Sequence, residues 1–167
     1  MELLRYTDYT LRVLIYLAAR SDRRATIADI AADFQVSHNH LTKIVHRLAG
    51  GGYLSTSRGK GGGMVLAREP EAISVGEVVR FAEGTLEMVE CLQPRCPIVG
   101  GCRLREVFAE ARDAFLATLD RYSVGDLVGD GSSVAAMLAG RGFAMPATDG
   151  RPCALRPRGL GDISEPS

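Results

Sequence analysis

Apolar residues recur at helical spacing near the start of the chain. One stripe comprises Leu11, Leu14, Ile15 and Ala18. This stripe predicts an amphipathic helix over residues 7–20. A second, short helix is predicted over residues 25–34, because Thr26 and Asp29 have the spacing of a capping box.

The pattern then predicts a third helix and a β-hairpin. Ser37 is the expected N-cap of the third helix, which runs to about Leu48 and is stopped by three successive glycines. Residues 53–57 and 64–67 have the pattern of two strands, and a glycine-rich turn joins them. Three helices followed by a hairpin are the element order of a winged helix-turn-helix.

Two further helices are predicted after the hairpin. Ser74 and Glu77 have capping-box spacing and open a helix that ends near Glu83. The longest helix covers about residues 103–122, and its apolar stripe comprises Leu104, Val107, Phe108, Ala111, Phe115 and Leu119. Either the stripe packs on its own domain, or it pairs two copies of the chain. We favour pairing, because a head this small has little spare surface to cover it.

The predicted fold class is therefore mainly α with a small β-hairpin, a winged helix-turn-helix plus a long dimerisation helix. Residues 1–83 form the DNA-binding domain and residues 84–102 a cysteine cluster-binding loop. Residues 103–128 form the dimerisation helix and a short end helix. Residues 129–167 are rich in Gly, Pro and Ala without periodicity, which predicts a disordered tail.

Charge changes the picture by separating a basic head from an acidic middle. The formal net charge is zero, but residues 1–70 hold ten Lys and Arg against six Asp and Glu. Residues 71–125 hold six against nine. The basic head favours a nucleic-acid partner. No apolar run approaches the ~20 residues of a membrane span, so we expect no membrane association and a cytoplasmic protein with reduced thiols.

Candidate DNA contacts lie at the start of the third helix and at the hairpin tip. In a helix-turn-helix, the first residues of the second helix of the motif meet base edges in the major groove. Those positions hold Ser37, His38, Asn39, His40 and Lys43. Arg58 and Lys60 stand among glycines at the tip, which suits contact with phosphates or a minor groove. The alternative is that both are solvated turn charges.

Three of the four cysteines fall in one Pro- and Gly-rich loop, at Cys91, Cys96 and Cys102. Their spacing matches neither paired zinc ligands nor the tighter runs of bacterial ferredoxins. Three soft sulfur donors favour an Fe–S cluster, with a thiol switch and zinc as alternatives. A fourth ligand must come from elsewhere in the protein. The candidates are Asp8, Glu87, Glu90, a histidine and Cys153.

Four stretches, together with the cysteine trio, resemble the winged-helix Fe–S transcriptional regulators over about residues 1–127. The stretches are YTDYTLRVLIYLA (6–18), VSHNHLTKI (36–44), GYLSTSRGKGGG (52–63) and ISVGEVV (73–79). The resemblance is greatest to the nitric-oxide-sensing repressors of the family. A second branch, which regulates Fe–S biogenesis, carries a histidine three residues after its last cysteine. This chain has Arg105 there.

The resemblance implies a homodimeric repressor that is not an enzyme. It implies a two-fold symmetric double-stranded DNA operator, released when nitric oxide destroys the cluster. It also implies a 4Fe-4S cluster, in preference to 2Fe-2S, held by the three loop cysteines and by Asp8 of the partner subunit. The same fold sensing iron, cluster supply or oxidants is an alternative. A redox or electron-transfer Fe–S protein is an alternative of another class, and it would not need the basic wing. A structural zinc adaptor is a third alternative.

Overall fold

A computed structural model of the chain describes residues 5–20, 23–59, 61–84, 86–87, 96–98, 101–129, 134 and 136. Its elements are α1 (Arg5–Ala19), α2 (Ile27–Phe34), α3 (His38–Gly50), β1 (Leu54–Ser57), β2 (Gly63–Leu66), a 3-10 helix (Pro70–Ala72), α4 (Val75–Glu83), α5 (Leu104–Leu119) and α6 (Val124–Val128). The predicted mainly helical winged helix-turn-helix with a small hairpin and a long later helix is confirmed. None of the helices described is long and apolar enough to cross a membrane.

Helix α1 lies at the centre of the core. It contacts α3, β2, α4 and α6. Its buried side chains include Val13, Leu14, Tyr16 and Leu17, and they pack with Ile30 of α2 and the buried face of α3. Full burial of one such side chain stabilises the fold by roughly 1.5–3 kcal/mol. The core therefore holds the helix-turn-helix and the wing on a single support.

Helix α2 begins two residues later than the periodicity suggests. The predicted capping box is present. The Thr26 hydroxyl accepts from the Asp29 backbone N–H, and the Asp29 carboxylate accepts from the Thr26 backbone N–H. Ala25 lies outside the helix because it pairs in antiparallel fashion with Met64 of β2. At the other end, Gln35 ends α2 in the left-handed conformation, with φ of 54°, and turns the chain towards α3.

Helix α3 begins after Ser37, as predicted, but the Ser37 hydroxyl makes no capping hydrogen bond. Its backbone ψ of 128° belongs to the extended region, and its carbonyl accepts from the Leu41 amide. Helix α3 ends at Gly50, two residues beyond the predicted end. Its buried face, which follows from the helical spacing of its apolar residues, comprises Leu41, Ile44, Val45 and Leu48.

Helix α4 has only half of its predicted capping box. Ser74 accepts from the Glu77 backbone, but the Glu77 carboxylate does not return the bond. That carboxylate instead accepts from the Tyr53 hydroxyl and from Arg68. The Glu77 side chain, which the local spacing assigned to the cap, therefore bonds to residues distant in sequence instead.

Helix α5 contacts the rest of the molecule mainly through its second half. Leu116 is buried, and Phe115 and Leu119 pack beside it against Val75 and Val79 of α4. In the first half, Leu104 and Val107 are 52% and 57% exposed. Helix α6 opens with a complete Ser–Asp capping box and packs on α1. The predicted disordered tail lies almost wholly outside the described residues.

Candidate nucleic-acid interface and metal centre

The first two turns of α3 present a row of exposed polar side chains. The structure leaves all five predicted positions there exposed: Ser37, His38, Asn39, His40 and Lys43. The His38 carbonyl accepts a 2.9 Å bond from the Thr42 hydroxyl, which also lies 3.4 Å from the His38 ring nitrogen Nδ1. Within the described residues, no side-chain hydrogen bond or ion pair uses Asn39, His40 or Lys43, so their donors and acceptors face solvent.

The hairpin tip is shaped by glycine. Gly59 and Gly61 have φ of 95° and 81°, a conformation that side chains disfavour. At Gly62, a Cβ would come within 2.6 Å of the Ser57 carbonyl oxygen. Arg58 is exposed at this tight turn. Lys60, the second predicted wing cation, lies outside the described residues.

A third cation, Arg24, lies beside the wing near its tip and was not predicted from the sequence. Ala25 and Met64 exchange backbone bonds of 3.1 and 2.7 Å, which joins the segment before α2 to the edge of β2. Arg24 is exposed, and its Nη1 donates to the Ser57 hydroxyl over 2.8 Å. The Arg23–Arg24 pair was a visible basic signal, but only the tertiary pairing places Arg24 beside the wing.

The end of α3 is clamped against α1 and α4. The Arg47 guanidinium carbon lies 5.2 Å from the centroid of the Tyr6 ring and 5.0 Å from that of Phe81. Its Nη2 also donates to the Phe81 carbonyl over 2.6 Å. A Cβ at Gly51 would approach the Phe81 ring to 2.8 Å, so glycine permits this close contact. The Thr7 hydroxyl, fully buried in α1, donates to Glu83 at the end of α4.

The wing is tied to α4 through one carboxylate. Glu77 Oε1 accepts from the Tyr53 hydroxyl over 2.9 Å and from Arg68 Nη2 over 2.8 Å. The bond from Arg68 lowers the pKa of Glu77. Burial, and then the bond to Glu77, raise the pKa of Tyr53 to about 12. Glu77 is therefore ionised and Tyr53 protonated at neutral pH, which is the pairing that this bond requires.

The described part of the cysteine loop holds two free thiols. Cys96 and Cys102 are half-buried and form no disulfide. Cys91 lies outside the described residues. Two unoxidised sulfur donors fit a thiophilic metal group such as an Fe–S cluster or zinc. The residues described here contain no assembled group of three or more His, Cys, Asp or Glu side chains that could hold a metal ion.

Both carboxylates described among the fourth-ligand candidates are ion-paired. Asp8, about half exposed in the first turn of α1, accepts from Arg12 Nε over 2.9 Å. Glu87 accepts from Arg112 Nη1 over 3.0 Å. The histidines are exposed on α3, at positions 38, 40 and 46. Glu90 and Cys153 lie outside the described residues.

Sequence comparison places this architecture among known regulators. The family described as "Rrf2: Iron-dependent Transcriptional regulator" matches residues 3–130. The HTH-type transcriptional regulator NsrR of Geobacillus kaustophilus is 44% identical over 145 residues, which cover 84% of this chain and 99% of the relative. NsrR of Bacillus subtilis is 47% identical over 132 residues, covering 77% of this chain and 90% of the relative.

Solved structures agree on the fold. CymR (YrzC), the global cysteine regulator of B. subtilis, superposes with a TM-score of 0.64 at 30% identity, covering 76% of this chain and 95% of that one. IscR of T. potens superposes with a TM-score of 0.62 at 23% identity, covering 78% of this chain and 88% of that one.

Proposed function

Because this chain belongs to the Rrf2 family of transcriptional regulators, we propose that it is a homodimeric repressor whose Fe–S cluster senses nitric oxide. Like its relatives, which are named as transcriptional regulators, it is a DNA-binding transcriptional repressor and not an enzyme. The proposal adds that nitric oxide destroys the cluster and that the operator is then released. It rests on one observation: three cysteines lie between α4 and α5 in a chain 44% identical to a full-length NsrR.

The DNA-reading part of the proposal is carried by the start of α3. Ser37, His38, Asn39, His40 and Lys43 are exposed there, opposite the face that packs in the core. These side chains meet base edges and phosphates in a major groove, while Arg58 and Lys60 of the wing meet the neighbouring backbone or minor groove. A protein dimer reads two half-sites about one helical turn apart, so the operator has two-fold symmetry.

The uncovered half of α5 supports the dimer in this proposal. Leu104 and Val107 are slightly more than half exposed, although they lie on the same stripe as Phe115 and Leu119, which pack against α4. A second copy of α5 covers both residues by the packing typical of paired helices. The two recognition helices then take their separation from this helix pair.

The cluster is held by Cys91, Cys96 and Cys102, with the partner subunit's Asp8 as the fourth ligand. When bound, the cluster would supply iron to which nitric oxide can bind as a ligand. A carboxylate oxygen is a harder donor than the three thiolates and suits iron less well. In the free protein, Asp8 pairs with Arg12 at the surface, and such exposed pairs contribute only about 0–1 kcal/mol. Giving up the Arg12 ion pair in order to ligate iron therefore costs Asp8 little free energy.

Helix α4 links the cysteine loop to both DNA-reading elements. The loop follows directly from the end of α4, next to Phe81 and Glu83. Phe81 receives the Arg47 bond from α3, and Glu77 holds Tyr53 and Arg68 at the two ends of the wing. Movement of α4 with the loop therefore shifts the recognition helix and the wing together. In a dimer, a small shift of this kind misaligns both half-sites.

One alternative keeps the fold and changes the signal. The matched family is described as iron-dependent, which favours iron or cluster supply as a competing signal. Oxidants acting on the same thiols are a further signal of this kind. An electron-transfer role is disfavoured, because the relatives are named as transcriptional regulators.

Iron and sulfide analysis tests the ligand set. Protein purified without oxygen should be brown and contain both elements. Cys91→Ser, Cys96→Ser and Cys102→Ser should each lose them, because each removes one of three sulfur ligands. Cys153→Ser is the matched control and should retain them. Full iron content in any of the three loop variants would contradict the assignment.

Nitric oxide titration then tests the sensor. Operator affinity of the loaded protein should fall after anaerobic nitric oxide. Asp8→Ala should assemble a cluster that loses iron to a chelator faster than the wild type, and Asp8→Cys one that loses it more slowly. Arg12→Ala keeps the carboxylate and should resemble the wild type. Bleaching without loss of operator binding would favour an iron or redox signal instead.

A further inference from the structure

A cationic residue from outside the hairpin, Arg24, lies beside the wing. The extended segment before α2 pairs with β2 through Ala25 and Met64, so the wing carries a third backbone segment on its edge. This pairing needs the glycine at position 63, where a Cβ would come within 2.8 Å of the Ala25 carbonyl oxygen. Arg24 is thereby fixed beside the hairpin, 33 residues away in sequence from the hydroxyl that it contacts.

The charge of Arg24 is left uncompensated in the described part of the chain. Other arginines of the head pair with carboxylates: Arg12 with Asp8, Arg20 with Asp33 and Arg68 with Glu77. Arg24 instead donates one N–H to a neutral hydroxyl, and no carboxylate among the described residues forms an ion pair with it. A guanidinium has five N–H donors, so this single bond orients the group and leaves most donors for another acceptor.

Its position matches that of a DNA-contacting group. Ser57 is the last residue of β1 and directly precedes Arg58, so its Cα lies about 3.8 Å from that of the first tip residue. Ser57 and Arg24 are both exposed. A duplex that reaches the tip therefore passes close to the Arg24 guanidinium.

We propose that Arg24 binds a backbone phosphate of the operator and that Ser57 positions it for this contact. The inference rests on the DNA-binding role of the protein and is independent of the cluster. A planar guanidinium bonds two phosphate oxygens at once, and one side is held here by the hydroxyl. The contact is to the backbone, so it carries affinity and orientation without base preference.

The test is the salt dependence of binding to the operator and to an unrelated duplex of equal length. Arg24→Gln should weaken binding to both duplexes by the same factor and lower the magnitude of the salt slope by about 1. Arg24→Lys keeps the charge and should keep the slope. Ser57→Ala should also keep the slope, with a smaller loss of affinity, because it removes the positioning bond alone.

Arg23→Gln is the matched control, since Arg23 is the adjacent exposed arginine and makes no bond to the wing within the described residues. It should leave the slope near the wild-type value. A wild-type slope in Arg24→Gln, or an equal fall in Arg23→Gln, would overturn the inference. Melting curves of all variants verify that each is folded. All proteins are tested with the cluster loaded. Failure of the unaltered, cluster-loaded protein to bind either duplex would overturn the repressor assignment, and this inference with it.

Discussion

Individual side chains at the start of α3 differ in what they offer to a base pair. Asn39 has an amide that donates and accepts at once, which matches the pattern that adenine presents in a major groove. Lys43 is a flexible point charge that suits phosphate as well as base. Both are exposed and unbonded among the described residues. We therefore expect Asn39 to contribute base preference and Lys43 to contribute general affinity.

Asn39→Ala should relax preference at one base pair of each half-site. A bidentate amide–adenine contact is worth about 1–3 kcal/mol of discrimination. Lys43→Ala is the comparison variant and should weaken binding to every sequence alike. Titrations on the operator and on single-base variants of it separate the two effects. A uniform loss for Asn39→Ala would indicate a backbone contact.

Among the elements, α4 carries the carboxylate of Glu77, which joins it to the wing. Glu77 has a lowered pKa because Arg68 bonds its ionised form. Such a group adds stability above its unfolded pKa, near the ordinary value of 4.5, and this stability is lost as the pH falls through the lower folded value. The side chain is 44% exposed, so solvent screening limits the contribution to a few tenths up to about 1 kcal/mol.

Glu77→Gln should flatten the acid limb of the stability curve. Above about pH 4.5 the variant should unfold at a lower temperature than the wild type, because the charge-assisted bond from Arg68 is lost. Towards lower pH the difference should shrink, as protonation removes the same bond from the wild type. Thermal melts of the variant and the wild type, at pH values above and below about 4.5, measure this difference. A difference that does not change with pH would mean that the carboxylate charge is unimportant.

Local signals account for most of the elements and for few of the site contacts. The capping box at Thr26 and Asp29 and the apolar face of α3 depend on neighbours within one or two turns, and both were predictable. The Glu77 carboxylate was assigned to its cap because its partners lie 9 and 24 residues away. Arg24 was missed for the same reason. No signal within one chain reports what Asp8 contacts on a partner subunit.

At the scale of the whole molecule, the exposed half of α5 is the surface that we propose for the contact between two subunits. An apolar helix face left in water is typical of an interaction surface. The same helix is anchored to α4 at its other half through Leu116. The proposed dimer contact and the packing on α4 therefore belong to the same helix.

Val107→Glu should convert the dimer to a monomer. The side chain is 57% exposed, so the charge should cost the isolated subunit little stability. A buried, unpaired carboxylate in the helix pair should cost it several kcal/mol. Glu110→Ala, an exposed change off the stripe, is the control. Analytical ultracentrifugation measures the state, and a variant that stays dimeric would exclude this face as the contact.

The double attachment of α4 also bears on how such repressors diversify. The recognition helix and the wing are both fastened to α4, through Arg47 and through Tyr53 and Arg68. With the DNA contacts proposed above, the scaffold itself fixes the offset between the two grooves of a half-site. Exposed residues of α3 can change from one descendant to the next without altering that offset. New operators would then differ in base sequence, while the spacing between the two contacted grooves stays the same.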